Sequence, residues 1–164
     1  MLLRRAAVAD SSTLADAWYA MLAEDELVRP DARPDWRSLL TAEFHRGIET
    51  GSQVWFVIAA DDRIVATGGA FVRRDPIFTA LLGVQATIGG VYTEPAFRRR
   101  GCARRIVRAL LEYGRGDGWD NVRLRASRQG RPLYEGFGFV PGDEMVPSWD
   151  AYASVAPDTP LETP

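Results

Sequence analysis

Apolar residues in the first third of the chain recur at helical spacing. Leu14, Ala17, Trp18, Met21 and Leu22 stand at i, i+3, i+4, i+7 and i+8, one face of a 3.6-residue period. Asp10 or Ser11 is placed to cap that helix, and residues 1–7 before it read as a short edge strand. A polar connection over 24–33 follows, with prolines at Pro30 and Pro34. Asp35 is positioned to cap a second helix with Trp36, Leu39, Leu40, Phe44 and Ile48 on one side, stopped by Gly51. Two amphipathic helices need a flat apolar surface to cover.

The pattern then switches to strands. Residues 53–60 (QVWFVIAA) form a near-continuous apolar run, and Asp61-Asp62-Arg63 turns it into a second strand over 64–72. Arg73-Arg74-Asp75-Pro76 is expected to break that strand, and 86–93 (ATIGGVYT) reads as a third, closed by Glu94-Pro95. From Cys102 to Tyr113 the period is helical again, with Ala103, Ile106, Val107 and Leu110 on one face, and the glycine-rich stretch 114–118 ends it. Val122, Leu124 and Ala126 alternate with Arg123 and Arg125, a strand with one wet face. A short helix over 131–137 and a last strand over 139–146 complete the pattern. The order implies an α/β (α+β) fold, a single mixed central sheet of about six or seven strands with helices on both faces. Residues 1–150 read as one domain and 151–164, proline-rich and without apolar period, as a frayed tail.

Composition narrows the possibilities. The 164 residues suffice for one domain with its own core, and 46% hydrophobic with 26% charged residues is a globular balance. A formal net charge of −2 argues against a dedicated nucleic-acid binder. No apolar run is long enough to span a membrane, and the N-terminus lacks the pattern of a signal peptide, so a cytoplasmic location is expected. One cysteine, Cys102, and one histidine, His45, exclude an internal disulfide and make no metal site. All 20 basic residues are arginine. Coding bias explains that, as does an amine-modifying enzyme that lacks amines of its own. The cationic chemistry is in either case planar and fork-shaped, suited to phosphate.

The richest chemistry lies in 91–111, VYTEPAFRRRGCARRIVRALL: a strand, an arginine- and glycine-rich turn, then an amphipathic helix. The first turn of a helix has unpaired N–H groups and the positive end of the macrodipole, which together suit phosphate oxygens. Gly101 admits close approach of a ligand, and Ala103 keeps the opening uncrowded. Arg98, Arg99, Arg100 and Arg104 surround it with positive charge, which disfavours the helix start unless an anion is bound there. Neither GxGxxG nor GxxxxGK[ST] occurs, so the turn is neither a Rossmann nor a P-loop signal.

Arg98-Arg99-Arg100-Gly101-Cys102-Ala103 fits the [RQ]-x-x-G-x-[GA] pattern of the GNAT superfamily of acetyl-CoA-dependent N-acyltransferases. Residues 130–139 (GRPLYEGFGF) resemble the same family's L-Y-x-x-x-G-F block, at the family's spacing and order. The resemblance implies a GNAT-like fold in which acetyl-CoA enters a V-shaped opening between splayed parallel strands, here 87–93 and 121–126. It implies pantetheine contacts from Val91 and Thr93 with Tyr92 nearby, an oxyanion donor near the Val91 N–H, and pyrophosphate on the amides from Arg99 to Arg104, a stretch that includes Cys102. Arg98 and Ser127 join the implied cofactor contacts, Ser127 where the family often has asparagine. Gly89-Gly90 fits a bulge or a close ligand approach. Tyr134 is the implied acid for the leaving thiolate. Cys102 reads as packing rather than as a nucleophile.

No general base stands out. Glu94 also reads as a turn residue. Glu24, Asp25, Glu26, Asp31 and Asp35 are either a solvated loop or an acidic rim that attracts a cationic amine. His45 has a suitable intrinsic pKa on a helix flank. The expected activity is transfer of acetyl from acetyl-CoA to an amine of a small molecule or peptide, without metal, nucleic acid or membrane. A non-catalytic acyl-CoA sensor and an acyltransferase for a longer acyl chain or a hydroxyl acceptor are the alternatives. Trp149 and Tyr152 are candidates for a homodimer interface or for cover of the domain's own edge.

Overall fold

The computed structural model describes residues 1–24, 34–77 and 80–142. Its elements are β1 (Leu2–Arg5), a 3-10 turn (Val8–Asp10), α1 (Ser11–Glu24), α2 (Trp36–Thr50), β2 (Gln53–Ala60), β3 (Arg63–Ile77) and β4 (Ala80–Thr93). A second 3-10 turn (Pro95–Phe97), α3 (Cys102–Gly116), β5 (Asn121–Leu124) and α4 (Arg131–Glu135) follow. Among the described residues no helix is long and apolar enough to cross a membrane.

The chain divides into two compact units, Met1–Ser127 and Arg128–Pro164. The first holds one sheet in the order β1-β2-β3-β4-β5, antiparallel except for the parallel pair β4–β5. Consecutive strand residues face opposite ways, and here that separates two helical layers. A Cβ on Gly68 would meet Ile106 of α3, whereas one on its neighbour Gly69 would run into Trp55. Trp55 belongs to the layer that α1 and α2 cover, with Leu14, Ala15, Phe44 and Val57 buried around it. Trp18, Phe44 and Phe71 meet Trp55 at centroid distances of 6.2, 4.9 and 6.0 Å, tilted steeply as the ring quadrupoles favour. The opposite layer is α3, which buries Ile106, Val107 and Leu110.

Two polar features fit this core. The Trp55 indole donates to Gln53 Oε1 at 2.9 Å, and Gln53 Nε2 donates to Glu43 at 3.2 Å, so a buried amide in an apolar strand is satisfied. At the N-terminus, Asp10 accepts both Arg4 guanidinium nitrogens at 2.7 and 2.9 Å and the Ala7 N–H at 2.8 Å. The Arg4 hydrogen bonds hold the Asp10 carboxyl below the usual carboxylate range.

Several expected boundaries move. β3 runs through the Arg73–Pro76 stretch instead of stopping there, because a register shift between Asp75 and Ile77 accommodates the proline. Arg73 pairs with Asp75 and Arg74 lies 4.0 Å from Asp117, so both arginines of this stretch face a carboxylate. β4 begins at Ala80, six residues before its apolar alternation is visible. α3 continues past Gly114, which is buried against Trp119 where a side chain would not fit. Leu39 is exposed rather than part of the α2 core face. Five strands are present among the described residues, fewer than expected: residues 139–142 form no strand, and 143–146 lie outside the described residues, as does the tail at 151–164.

The second unit contains α4, one turn and a half with Pro132 near its start, two residues shorter than expected. The Tyr134 carbonyl accepts the N–H groups of Phe137 and Phe139 at 2.9 and 3.1 Å, which closes the helix, with Gly138 at φ 87°. The Tyr134 ring packs edge-on against Phe139 at 6.1 Å.

Candidate functional site

The parallel ladder between β4 and β5 is short. It runs from Gln85↔Asn121 to Ile88↔Leu124, while β4 continues to Thr93 with only β3 beside it in the ladder. The change falls at Gly89-Gly90. Gly90 has φ 62°, the β3–β4 register shifts there, and the buried Thr67 hydroxyl donates to Gly90 O at 3.0 Å. This is a β-bulge, which the glycine pair anticipates, and Gly90 cannot take a side chain because its Cβ would lie 2.6 Å from the Trp55 ring.

A bulge also reverses which residues present their main chain to which neighbour. Before it, even-numbered residues face β5, as the bond from Asp120 N–H to Val84 O (2.9 Å) shows. After it, Glu94 N–H donates to Val65 O of β3 at 2.9 Å, so even-numbered residues face β3. Val91 and Thr93 therefore turn their peptide groups toward the side where β5 has left the ladder. Polar main chain directed to a side where the ladder has ended suits an extended ligand with amides of its own.

The split leads into the arginine turn. Arg99 (φ 60°) and Gly101 (φ 78°) both take left-handed conformations, and α3 starts at Cys102. Its first main-chain bond runs from Arg105 N–H to Gly101 O at 3.0 Å, so the N–H groups of Cys102 and Ala103 precede the ladder, at the positive end of the helix dipole. Nothing lies within 4 Å of where a Gly101 Cβ would be. Glycine is needed there for the backbone angle, and the space in front is open. Arg99, Arg100 and Arg104 are exposed around it, Arg100 with its guanidinium 5.3 Å from the Phe97 ring centre. Cys102 is buried, its sulfur 3.8 Å from Phe97 O and 3.9 Å from the Met1 sulfur, a packing position.

Arg98 is directed elsewhere. Its Nε donates to Thr93 O at 2.9 Å and its Nη2 lies 2.6 Å from both carboxylate oxygens of Glu24, at the end of α1. The Tyr92 hydroxyl is 3.5 Å from the same carboxylate, and partial burial first, then the Glu24 charge, pushes its phenol upward. Glu94 is held by Arg63 at 2.6 and 3.1 Å. The Thr93 hydroxyl is buried without a hydrogen-bond partner. These pairings join positions up to 74 residues apart, and no local pattern signals them.

Of the remaining expected residues, Ser127 is exposed just beyond β5. His45 is exposed on α2 and lines an open groove of about 720 Å³ with Ser12, Asp35 and Thr41. Asp25, Glu26, Asp31, Trp149 and Tyr152 lie outside the described residues. In the second unit Tyr134 is half-buried, and burial pushes its phenol above the ordinary value.

A mixed sheet whose parallel pair, the one such pair among the described residues, ends beside a bulge, next to a helix opening on an arginine–glycine turn, defines an α/β protein with a place suited to an extended anionic ligand. The chain belongs to the acetyltransferase (GNAT) family, whose model matches residues 16–139, and it is an acetyl-transferring enzyme. A predicted acetyltransferase of Clostridium acetobutylicum, crystallised with acetyl-CoA, superposes with a TM-score of 0.79 at 28% identity, over 90% of this chain and 94% of that one. A GCN5-related N-acetyltransferase of Ralstonia eutropha gives 0.73 at 20% identity, over 90% and 97%. Glucosamine-6-phosphate N-acetyltransferase of Arabidopsis thaliana gives 0.66 at 19%, over 90% and 96%. Both of the latter share the fold. Among curated proteins none matches the chain in sequence.

Proposed function

We propose that the protein transfers acetyl from acetyl-CoA to a primary amine of a small molecule or peptide by direct attack within a ternary complex. The observation that carries this reading is the main chain of Val91 and Thr93, turned by the Gly90 bulge into a split that ends at an anion-ready helix start. The Clostridium relative, at 28% identity and crystallised with acetyl-CoA, supports the choice of ligand.

In this reading the pantetheine amides hydrogen-bond to the Val91 main chain and the Thr93 N–H as a surrogate strand, the Thr93 carbonyl being held by Arg98. The diphosphate rests on the amides between Arg99 and Ala103, with Arg99, Arg100 and Arg104 adding charge. The Val91 N–H polarises the thioester carbonyl and then holds the oxyanion. The neutral amine forms the new N–C bond, the tetrahedral intermediate collapses with cleavage of C–S, and the thiolate leaves with a proton from the Tyr134 phenol. The support for Tyr134 is the L-Y-x-x-x-G-F block and a phenol that burial keeps protonated at neutral pH. Phenol to thiolate is an uphill transfer of roughly one to two pKa units, about 1.4–2.7 kcal/mol, which proton delivery during C–S cleavage offsets. Glu94 and Glu24 are both committed to arginines, so the amine proton is assigned to water.

Free thiol released from acetyl-CoA across an amine panel tests the reading. Acceptor-dependent release supports it. Tight coenzyme A binding with no amine-dependent release would instead mark an acyl-CoA sensor, and faster release from propionyl- or succinyl-CoA would move the acyl preference to longer chains.

A further inference from the structure

We propose that Arg98 and Glu24 form a strut between the end of β4 and the end of α1, so that a ligand ordering the split also orders α1. Arg98 is thereby a positioning residue and not a phosphate ligand.

The geometry is specific. Thr93 directs its main chain toward the split, and its carbonyl accepts Arg98 Nε at 2.9 Å. The strand therefore has one of its last outward acceptors already filled, which sets where a strand-like ligand must stop. The same guanidinium reaches back with Nη2 to both oxygens of Glu24 at 2.6 Å. The Tyr92 ring flanks it, 5.9 Å from the guanidinium carbon, and its hydroxyl approaches Glu24. A carboxylate in the last turn of a helix opposes the helix dipole, so Glu24 is poorly placed for α1 alone. The pair is about 40% exposed on both sides, and an ion pair that open adds little to overall stability. What it adds is a fixed distance between two elements that sequence places 74 residues apart. Arg98 spends its donors on Thr93 and Glu24, while Arg99 and Arg100 on the same turn are exposed beside the open space at Gly101. The coupling to ligand rests on the acetyl-CoA reading above. The strut itself does not.

The test is amide hydrogen exchange of residues 20–24 in the full chain, with and without saturating coenzyme A, alongside calorimetric titration of coenzyme A. Without ligand, Glu24→Gln and Arg98→Gln each speed exchange in that turn by about tenfold. The double variant goes no further, and the exchanged pair Glu24→Arg with Arg98→Glu recovers most of the protection. Coenzyme A slows exchange there in the wild-type chain but not in either single variant, although both bind it within about twofold of wild type. Additive effects in the double variant would overturn the strut. A fall in coenzyme A affinity of about tenfold or more in Arg98→Gln alone would make Arg98 a phosphate ligand. Slowing by coenzyme A that persists in the variants would send the coupling by another route. If the wild-type chain does not bind coenzyme A, the acetyl-CoA reading fails, and the ligand-free comparison still decides the strut.

Discussion

Tyr134 and Glu94 illustrate how differently two oxygen acids of one chain can be employed. Glu94 has both oxygens on Arg63, whereas burial pushes the Tyr134 phenol above its ordinary value and so keeps its proton available. If Tyr134 supplies the leaving group's proton, Tyr134→Phe lowers kcat at least about tenfold while the KM for acetyl-CoA stays within about twofold. An unchanged kcat removes Tyr134 from that role. Residue-level reading from sequence was strongest where one residue type does one thing. Gly101 has a left-handed angle, Gly90 has another, and Cys102 is packed away. It was weakest for side chains with a choice of partner: Arg98 looks like its neighbours in the run RRRG, and only the tertiary fold sends it to Glu24. The orphaned Thr93 hydroxyl is equally silent in sequence.

At the scale of elements, β4 depends on glycines that make room for tryptophan. Gly90→Ala puts a methyl group 2.6 Å from Trp55 and forces alanine into a left-handed angle. It should destabilise the protein by about 2–4 kcal/mol in denaturant unfolding, with the slope of the transition unchanged. A variant as stable as wild type would mean that the bulge is not held by Trp55. The N-terminal strand and α1 are joined by Asp10, whose folded pKa lies below its unfolded one. Its contribution is therefore present above about pH 4 and disappears as the pH falls through the folded value. Asp10→Asn should cost about 1 kcal/mol at pH 7, discounted for the partly exposed Arg4, and that difference should close as the solution is acidified. A difference that stays constant with pH would remove the ion pair from the explanation. Periodicity located α1, α2 and α3 well because an amphipathic helix repeats its pattern over many residues. β3 and β4 outran it, since the RRDP run of β3 looks like a turn and the ALLGVQ start of β4 is apolar without alternating, and the strand there is set by pairing rather than by alternation.

At the scale of the molecule, the order of elements and two spaced motifs were enough to expect the fold, and the GNAT family match over residues 16–139 agrees. The split itself was an implication of resemblance. What makes it visible as physics is a ladder that stops at Ile88↔Leu124 and a bulge that turns Val91 and Thr93 outward. The acceptor was not legible, because the connecting segments that differ most between such proteins have no repeating pattern to read. The central claim is that the arginine turn holds a diphosphate on main-chain amides. Calorimetric titration with coenzyme A and with pantetheine, which lacks the phosphates, tests it most directly. Coenzyme A should bind at least about a hundredfold more tightly, with affinity that falls as salt rises, and Gly101→Glu should abolish the difference; the left-handed angle at 101 costs that variant about 1–2 kcal/mol of stability, so its unfolding is measured alongside and it should remain folded. Equal affinity for the two ligands, or no effect of Gly101→Glu, would contradict the account.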